Sequence, residues 1–484
     1  MGIVLKQTSW NIFTISIAIL IGAINTLYFY PEFLQEDYYG LVVFLLATSN
    51  LLQPLMSFGA QHTIIKFFSS FKDKKNKDEF LSSVVFLPLF FIVPVSFLVV
   101  QFHDLVAEFL SVKNPIIKSY VWVIFLVSFA TSYFEVFYSW ARVQYKSVFG
   151  NILKEIYPRL SVFILLILVF LGQISKENFI WWLTGLYYLR LLIMIIYSLY
   201  LYTPKFKFTI PSNYKEILLY SIYILLAGSA ASFLIDIDKY MIPQKQAISQ
   251  TAYYAVAVFI ATVVEVPGRA MFQIINPLVA KALNDNNNNE LEKLYSKSSE
   301  SLLIVCGLFF LLINLNIDSF YLILNNKYYA EASLVVLIIS SAKLIQMSFG
   351  CGPAILATSK FYKITLPFSL AMAISVYVLN DYLIDLYGIN GAAISTFIVL
   401  LSFTFLKVLY IHHKTKIQPY KFNSIKVLIL IALIYFLNSF LNFDFLIQQL
   451  ELFVSLDELG AEDIPFRYDH LVVFFLLLFF TLSL

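Results

Sequence analysis

The chain has 484 residues, of which 60% are hydrophobic, 18% aromatic and 13% charged, and its mean hydropathy is +0.80. Soluble domains carry about 25% charged residues, so half that fraction excludes an ordinary globular protein. The net charge of +3 comes from short, separated basic clusters, which argues against nucleic acid as a partner.

Other classes fall on the same reading. Cys306 and Cys351 both lie in apolar runs, leaving neither a disulfide framework nor a metal knuckle. The histidines (His62, His103, His412, His413, His470) form no ligand-spaced group, so no cofactor is expected. The run from Trp10 to Tyr30 is too long for the apolar part of a signal peptide and lacks a small-x-small cleavage site. Lys6 stands where a myristoylation signal requires Ser or Thr. The N-terminus therefore reads as an uncleaved first helix.

A bilayer core takes about 20 apolar residues per helix. Runs of that kind predict fourteen spans, at 10–30, 39–67, 81–102, 116–138, 152–171, 179–202, 217–235, 252–278, 301–315, 332–357, 364–379, 391–411, 425–441 and 471–484. The expectation is an all-α polytopic membrane protein with no room for a soluble catalytic domain. The last span is the weakest, since its 14 residues reach only about 21 Å.

Orientation follows from lysine and arginine, which concentrate in cytoplasmic segments. With the N-terminus in the cytoplasm, 23 of the 33 basic residues fall in or beside cytoplasmic connections, seven fall outside and three lie within spans. The longest outer loop, Asn442 to His470, carries seven carboxylates against Arg467 and reads as a solvated hairpin rather than a lid.

An internal repeat agrees with this count. Tyr38-Tyr-Gly-Leu-Val-Val-Phe44 in the second span matches Tyr253-Tyr-Ala-Val-Ala-Val-Phe259 in the eighth at four of seven positions. Pro31 and Pro243 precede the two segments. An offset of six helices preserves orientation, so the halves read as parallel repeats about an axis along the membrane normal.

Several segments resemble the polysaccharide (oligosaccharide-lipid) flippases of the MOP superfamily. They are Tyr28 to Phe68 with its Phe58-Gly-Ala-Gln-His-Thr-Ile-Ile-Lys66 end, Trp140-Ala-Arg-Val-Gln-Tyr-Lys-Ser-Val-Phe149, Asp238-Lys-Tyr-Met-Ile242 and Tyr387-Gly-Ile-Asn-Gly-Ala-Ala-Ile-Ser-Thr396. The resemblance implies two six-helix lobes around a central cavity, here 1–210 and 211–415, followed by a C-terminal helix pair, 416–484. It also implies a monomer in a bacterial inner membrane that moves undecaprenyl-diphosphate-linked oligosaccharide from the cytoplasmic to the periplasmic leaflet. Lipid II flippases of the superfamily carry several arginines in the first two spans. This chain has only Lys6 and Lys66 there, near the ends, which argues against lipid II.

Ionisable residues inside spans mark function, because each costs at least ~2.5 kcal/mol at mid-bilayer unless paired or wetted. Arg190, Arg269 and Lys343 lie inside the sixth, eighth and tenth spans. Glu265 precedes Arg269 by four residues, and Glu155 precedes Arg159 by the same spacing, so each pair shares a helix face. Glu135 and Arg142 flank the inner end of the fourth span. The reading is a cationic chamber for a pyrophosphate headgroup, formed by Arg190, Arg269, Lys343, Arg142 and Arg159. Glu265, Glu155 and Glu135 are its charge partners, and H+ or Na+ at Glu265 the coupling ion. The competing reading is self-neutralising packing pairs with Arg190 and Lys343 snorkelling to the interface. Pro158, Pro267 and Pro353 read as kinks.

Two other functions compete. A multidrug exporter of organic cations needs an acidic cavity, whereas three deep cations here face one deep carboxylate, Glu265. A membrane glycan polymerase needs an acid or base beside a large outer loop, and Asn442 to His470 offers no such constellation. The charge distribution predicts that an impermeant thiol reagent on intact cells modifies a cysteine placed at Glu458 and spares one placed at Lys75. The reverse pattern overturns the orientation.

Overall fold

A computed structural model describes residues 2–71, 73–205, 214–323 and 327–440. Among them every regular element is helical, in two compact units, Met1–Ala255 and Val256–Leu484. The first unit holds α1 (Gly2–Ile24), α2 (Glu36–Ser57), α3 (Ala60–Phe67), α4 (Lys74–Phe86), α5 (Leu89–Gln101), α6 (His103–Ser111), α7 (Val121–Val143), α8 (Val148–Phe170), α9 (Lys176–Leu201) and α10 (Tyr214–Lys245). The boundary falls within α11 (Ile248–Thr262). The second unit continues with α12 (Val266–Asn284), α13 (Asn288–Leu315), α14 (Ile317–Ile323), α15 (Lys327–Ala330), α16 (Ser333–Ser348), α17 (Gly352–Thr358), α18 (Thr365–Thr415) and α19 (Phe422–Phe440).

Among the described residues, eight helical segments are long and apolar enough to cross a membrane, or ten when each sharply bent pair is one span. This establishes a multi-pass membrane protein without establishing the expected fourteen. One segment, Tyr362–Thr415, covers two expected spans, 364–379 and 391–411, joined at Gly388 (φ 58°, ψ −135°). Only glycine adopts that backbone readily. The expected span 152–171 coincides with α8, whose Lys154, Glu155 and Arg159 make it too charged for a uniformly apolar crossing. The expected span 471–484 and the loop Asn442 to His470 lie outside the described residues.

Breaks inside expected spans have identifiable chemistry. The expected span 39–67 divides at Phe58 (φ 48°) and Gly59 (φ 70°), both left-handed. A Cβ on Gly59 would come within 2.6 Å of the Ser221 carbonyl on α10, so glycine is required both by conformation and by space. Just beyond, the Thr63 and Ser221 hydroxyls meet at 2.7 Å. The expected span 81–102 is interrupted at Pro88 between α4 and α5.

Small polar residues seam the first unit. Ser49 of α2 donates to the Ile124 carbonyl of α7 at 3.1 Å, and Ser128 returns a bond to the Ser49 carbonyl at 2.9 Å. One turn on, Ser132 donates to the Gln53 carbonyl at 3.0 Å. Serines let two helix backbones approach closely where the hydrophobic effect provides little drive. Behind the seam, Phe80, Phe134 and Trp140 are fully buried in the unit's core. In the second unit, Tyr295 and Cys351 anchor one core cluster and Leu303 and Cys306 another.

The repeat segments are juxtaposed where α2 and α11 begin. Tyr253 of α11 donates to the Glu36 carboxylate of α2. A Cβ on Gly40 would sit 2.0 Å from the Ile248 carbonyl. Asn114 ties this end together: Nδ2 donates to the carbonyls of Pro243 (2.6 Å) and Gln246 (2.8 Å), and Oδ1 accepts from the Ile248 N–H (2.9 Å). α10, expected to open the second lobe, lies along α2. A buried hydrogen bond contributes about 1 kcal/mol net and costs more when a partner is left unpaired. Asn114→Ala should therefore destabilise the purified protein by about 2–4 kcal/mol, read as a lowered Tm in detergent. An unchanged Tm contradicts this assignment.

Candidate functional site

The second unit gathers three of the singled-out residues. After α11 the chain makes one 3-10 turn, Val263–Glu265, and restarts as α12 with Pro267 in its first turn. Proline lacks the N–H that would continue the previous helix, and it suits a helix start. The next residue is Gly268, where a Cβ would meet the Met347 sulfur of α16 at 2.4 Å. The break is thus pressed closely onto α16.

That placement brings Lys343 of α16 to Glu265. Glu265 Oε1 lies 2.5 Å from Arg269 Nη2, and Oε2 lies 2.9 Å from Lys343 Nζ. Each oxygen of one carboxylate therefore takes a different cation, and the cluster carries a net positive charge. Side-chain exposure is graded, at 15% for Glu265, 22% for Lys343 and 55% for Arg269. The carboxylate is the shielded member, and the guanidinium keeps an accessible face whose fork geometry suits two phosphate oxygens.

In the first unit the singled-out charges are arranged differently. Arg190 is buried, 4% exposed, with its guanidinium over the rings of Phe134 (4.3 Å) and Tyr187 (4.7 Å). Its Nη2 donates to Thr131 Oγ1 at 3.3 Å, and its Nε has no hydrogen-bond partner. No carboxylate forms an ion pair with it among the described residues. Cation–π contact offsets part of the cost of such burial.

Arg159 pairs with Glu155 at 3.1 Å, as the four-residue spacing requires, and Pro158 sits inside α8 between them. Asn25 donates to the Arg159 carbonyl at 2.7 Å. Glu135 pairs with Lys154 at 2.7 Å, while Arg142 is exposed and lies 5.6 Å from the Tyr138 ring centre. Lys154 is a partner that sequence reasoning missed. Its signal is its position in the charged first half of α8.

Sequence reasoning also missed a polar group near the end of α10. Asp236 Oδ1 accepts from Lys239 Nζ at 2.7 Å, and Asp236 Oδ2 from Asn50 of α2 at 3.2 Å. The Tyr254 hydroxyl donates to Asp238. The three-residue spacing of Asp236 and Lys239 is legible in the sequence. Among the described residues no group of three or more His, Cys, Asp or Glu side chains could hold a metal ion.

The profile of a family described as polysaccharide biosynthesis protein matches residues 4–273. No functionally curated protein matches the chain significantly. Among solved structures, the lipid II flippase MurJ in an inward closed conformation is similar at a TM-score of 0.60 and 15% identity, over 92% of this chain and 100% of that one. An inward-facing multidrug resistance MATE family transporter of the MOP superfamily matches at 0.62 and 13%, over 82% and 94%. A MOP superfamily transporter from Pyrococcus furiosus, described as having a binding pocket of reverse polarity, matches at 0.57 and 13%, over 84% and 95%. The fold is similar to that of these transporters.

The graded exposure of the triad sets an order of stability effects. Lys343→Met should cost about 1–3 kcal/mol, between the values for exposed and buried pairs. Arg269→Met, which removes a half-exposed partner, should cost about 0–1 kcal/mol. Thermal unfolding in detergent ranks the two, and the opposite order contradicts the arrangement.

Proposed function

The chain belongs to the family of polysaccharide biosynthesis proteins, and from that premise we propose that it is a flippase for polyprenyl-diphosphate-linked oligosaccharide. The cargo is the undecaprenyl-diphosphate-linked repeat unit, moved from the cytoplasmic to the periplasmic leaflet of a bacterial inner membrane by a monomer with its N-terminus in the cytoplasm. The lobe division at 210 and 415 belongs to this proposal. So does the absence of covalent chemistry, since the protein moves its substrate without making or breaking a bond.

The observation that carries the reading is the triad of Glu265, Arg269 and Lys343. A diphosphate crossing a bilayer needs fixed cations, yet cations that hold it too tightly prevent release. A carboxylate shared by both cations meets both needs, because it competes with the diphosphate and takes the cations back when the headgroup leaves. Any bias between conformations then comes from the difference in headgroup affinity between them. Protonation or Na+ binding at Glu265 would weaken the carboxylate's hold and shift the same balance.

The remaining cations take subordinate parts. Arg142, exposed at the end of α7, offers first contact to a headgroup arriving from the cytoplasm. Arg159 and Lys154 are neutralised by Glu155 and Glu135. Arg190 joins only in a state that withdraws Phe134 and Tyr187 from its guanidinium. A multidrug exporter of organic cations is disfavoured by the positive balance at Glu265, although such exporters share the fold.

Flipping is measured on the full chain in liposomes with a fluorescent polyprenyl-diphosphate disaccharide and an impermeant quencher. Wild type should move the lipid between leaflets without lengthening the glycan. Arg269→Ala and Lys343→Ala should lower the rate by tenfold or more, and Arg269→Lys should recover part of it, since charge is kept and the fork is lost. Normal flux at normal abundance in the alanine variants of Arg190, Arg269 and Lys343 overturns the cationic site. Glycan elongation overturns the transporter reading.

A further inference from the structure

The helix α6 differs from the spans around it. It is nine residues long, His103–Ser111, and it stands between two segments apolar enough to cross the membrane, Lys74–Gln101 and Pro115–Val143. Its position at one end of the bundle is therefore fixed by its neighbours. Its sides carry three different chemistries. Ala107, Leu110 and Ser111 are buried. Leu105 and Phe109 are 68% and 64% exposed, and Phe102 and Val112 at the two ends are exposed beside them. At 3.6 residues per turn these four fall within an arc of about 80°. Asp104 and Glu108 form the adjoining exposed stripe.

Two observations identify what lies against the apolar arc. It follows directly on α5, whose Phe97 and Val100 are exposed within a segment apolar enough to cross the membrane, the kind of surface that faces lipid. The helix start is also pinned at the edge of α7. The His103 ring stacks on Trp122 at 5.3 Å with an interplanar angle of 13°, and Trp122 stands in the first turn of α7. Tryptophan at the end of a span is characteristic of the membrane–water interface.

We propose that α6 is an interfacial helix that lies on the bilayer, with Phe102, Leu105, Phe109 and Val112 in the acyl boundary and Asp104 and Glu108 in water. Interfacial helices usually bind anionic lipid through lysine and arginine on the polar face. Here that face is acidic, and its nearest cations are His103 and, one residue past Val112, the exposed Lys113. The lipid it fits is therefore zwitterionic. This inference is independent of what the protein transports, because it rests on the placement of α6, its exposed apolar arc and the His103–Trp122 stack.

The test is spin-label accessibility on the full chain in phosphatidylethanolamine vesicles, with single cysteines replacing residues 102 to 112 in turn and Cys306 and Cys351 replaced by Ala. Labels at 105 and 109 should collide with oxygen more than with a water-soluble nickel chelate, and labels at 104 and 108 should show the reverse. Adding phosphatidylglycerol should draw the labels at 105 and 109 toward water. Nickel-dominated collisions at every position would overturn the proposal, because the arc would then face solvent. Shielding of 105 and 109 from both probes would also overturn it, because another protein surface would then cover them.

Discussion

A carboxylate in a membrane-spanning chain has to be matched by cations or neutralised, because its unpaired charge costs kilocalories in a medium without water. Glu265 is matched twice, once by Arg269 one helical turn ahead and once by Lys343 from α16. The double match needs the surrounding geometry. The 3-10 turn and Pro267 break the helix at the carboxylate, and Gly268 lets the break press onto Met347. An uninterrupted helix through 265 would aim the carboxylate elsewhere, and a side chain at 268 would hold α16 away. The electrostatics and the 3-10 turn inside the span Ile248–Phe272 are one feature.

The first unit handles its charges by other means. Glu135 and Glu155 each take a single lysine or arginine from α8, which neutralises them locally. Arg190 has aromatic rings and a threonine in place of a carboxylate. A paired charge is electrostatically satisfied, whereas a guanidinium with an unfilled N–H retains affinity for an anion. The triad sets one shielded carboxylate between two cations, one of them an accessible guanidinium, and for that reason it carries the functional reading.

Much of this was legible in the sequence, for local reasons. Hydropathy located helices under each expected span from 10–30 to 425–441, because a segment in lipid must satisfy its backbone internally. The pairs Glu265 with Arg269 and Glu155 with Arg159 followed from helical periodicity alone. The partnership of Glu265 with Lys343 did not, since it depends on how α12 meets α16. Nor did the pairing of Glu135 with Lys154, which depends on how α7 meets α8. The break at Phe58 and Gly59 was hidden in an apolar run, where Gly59 is the one local signal. The burial of Arg190 was equally invisible, because spacing does not reveal which aromatic rings will close over a cation.

In the proposed function the triad recognises a diphosphate. Native mass spectrometry of the purified full chain with polyprenyl-diphosphate and polyprenyl-monophosphate glycolipids tests it directly. Wild type should retain the diphosphate lipid over the monophosphate, and an Arg269→Ala, Lys343→Ala double variant should lose this preference while remaining folded. Equal retention of the diphosphate lipid by wild type and a folded double variant would contradict it.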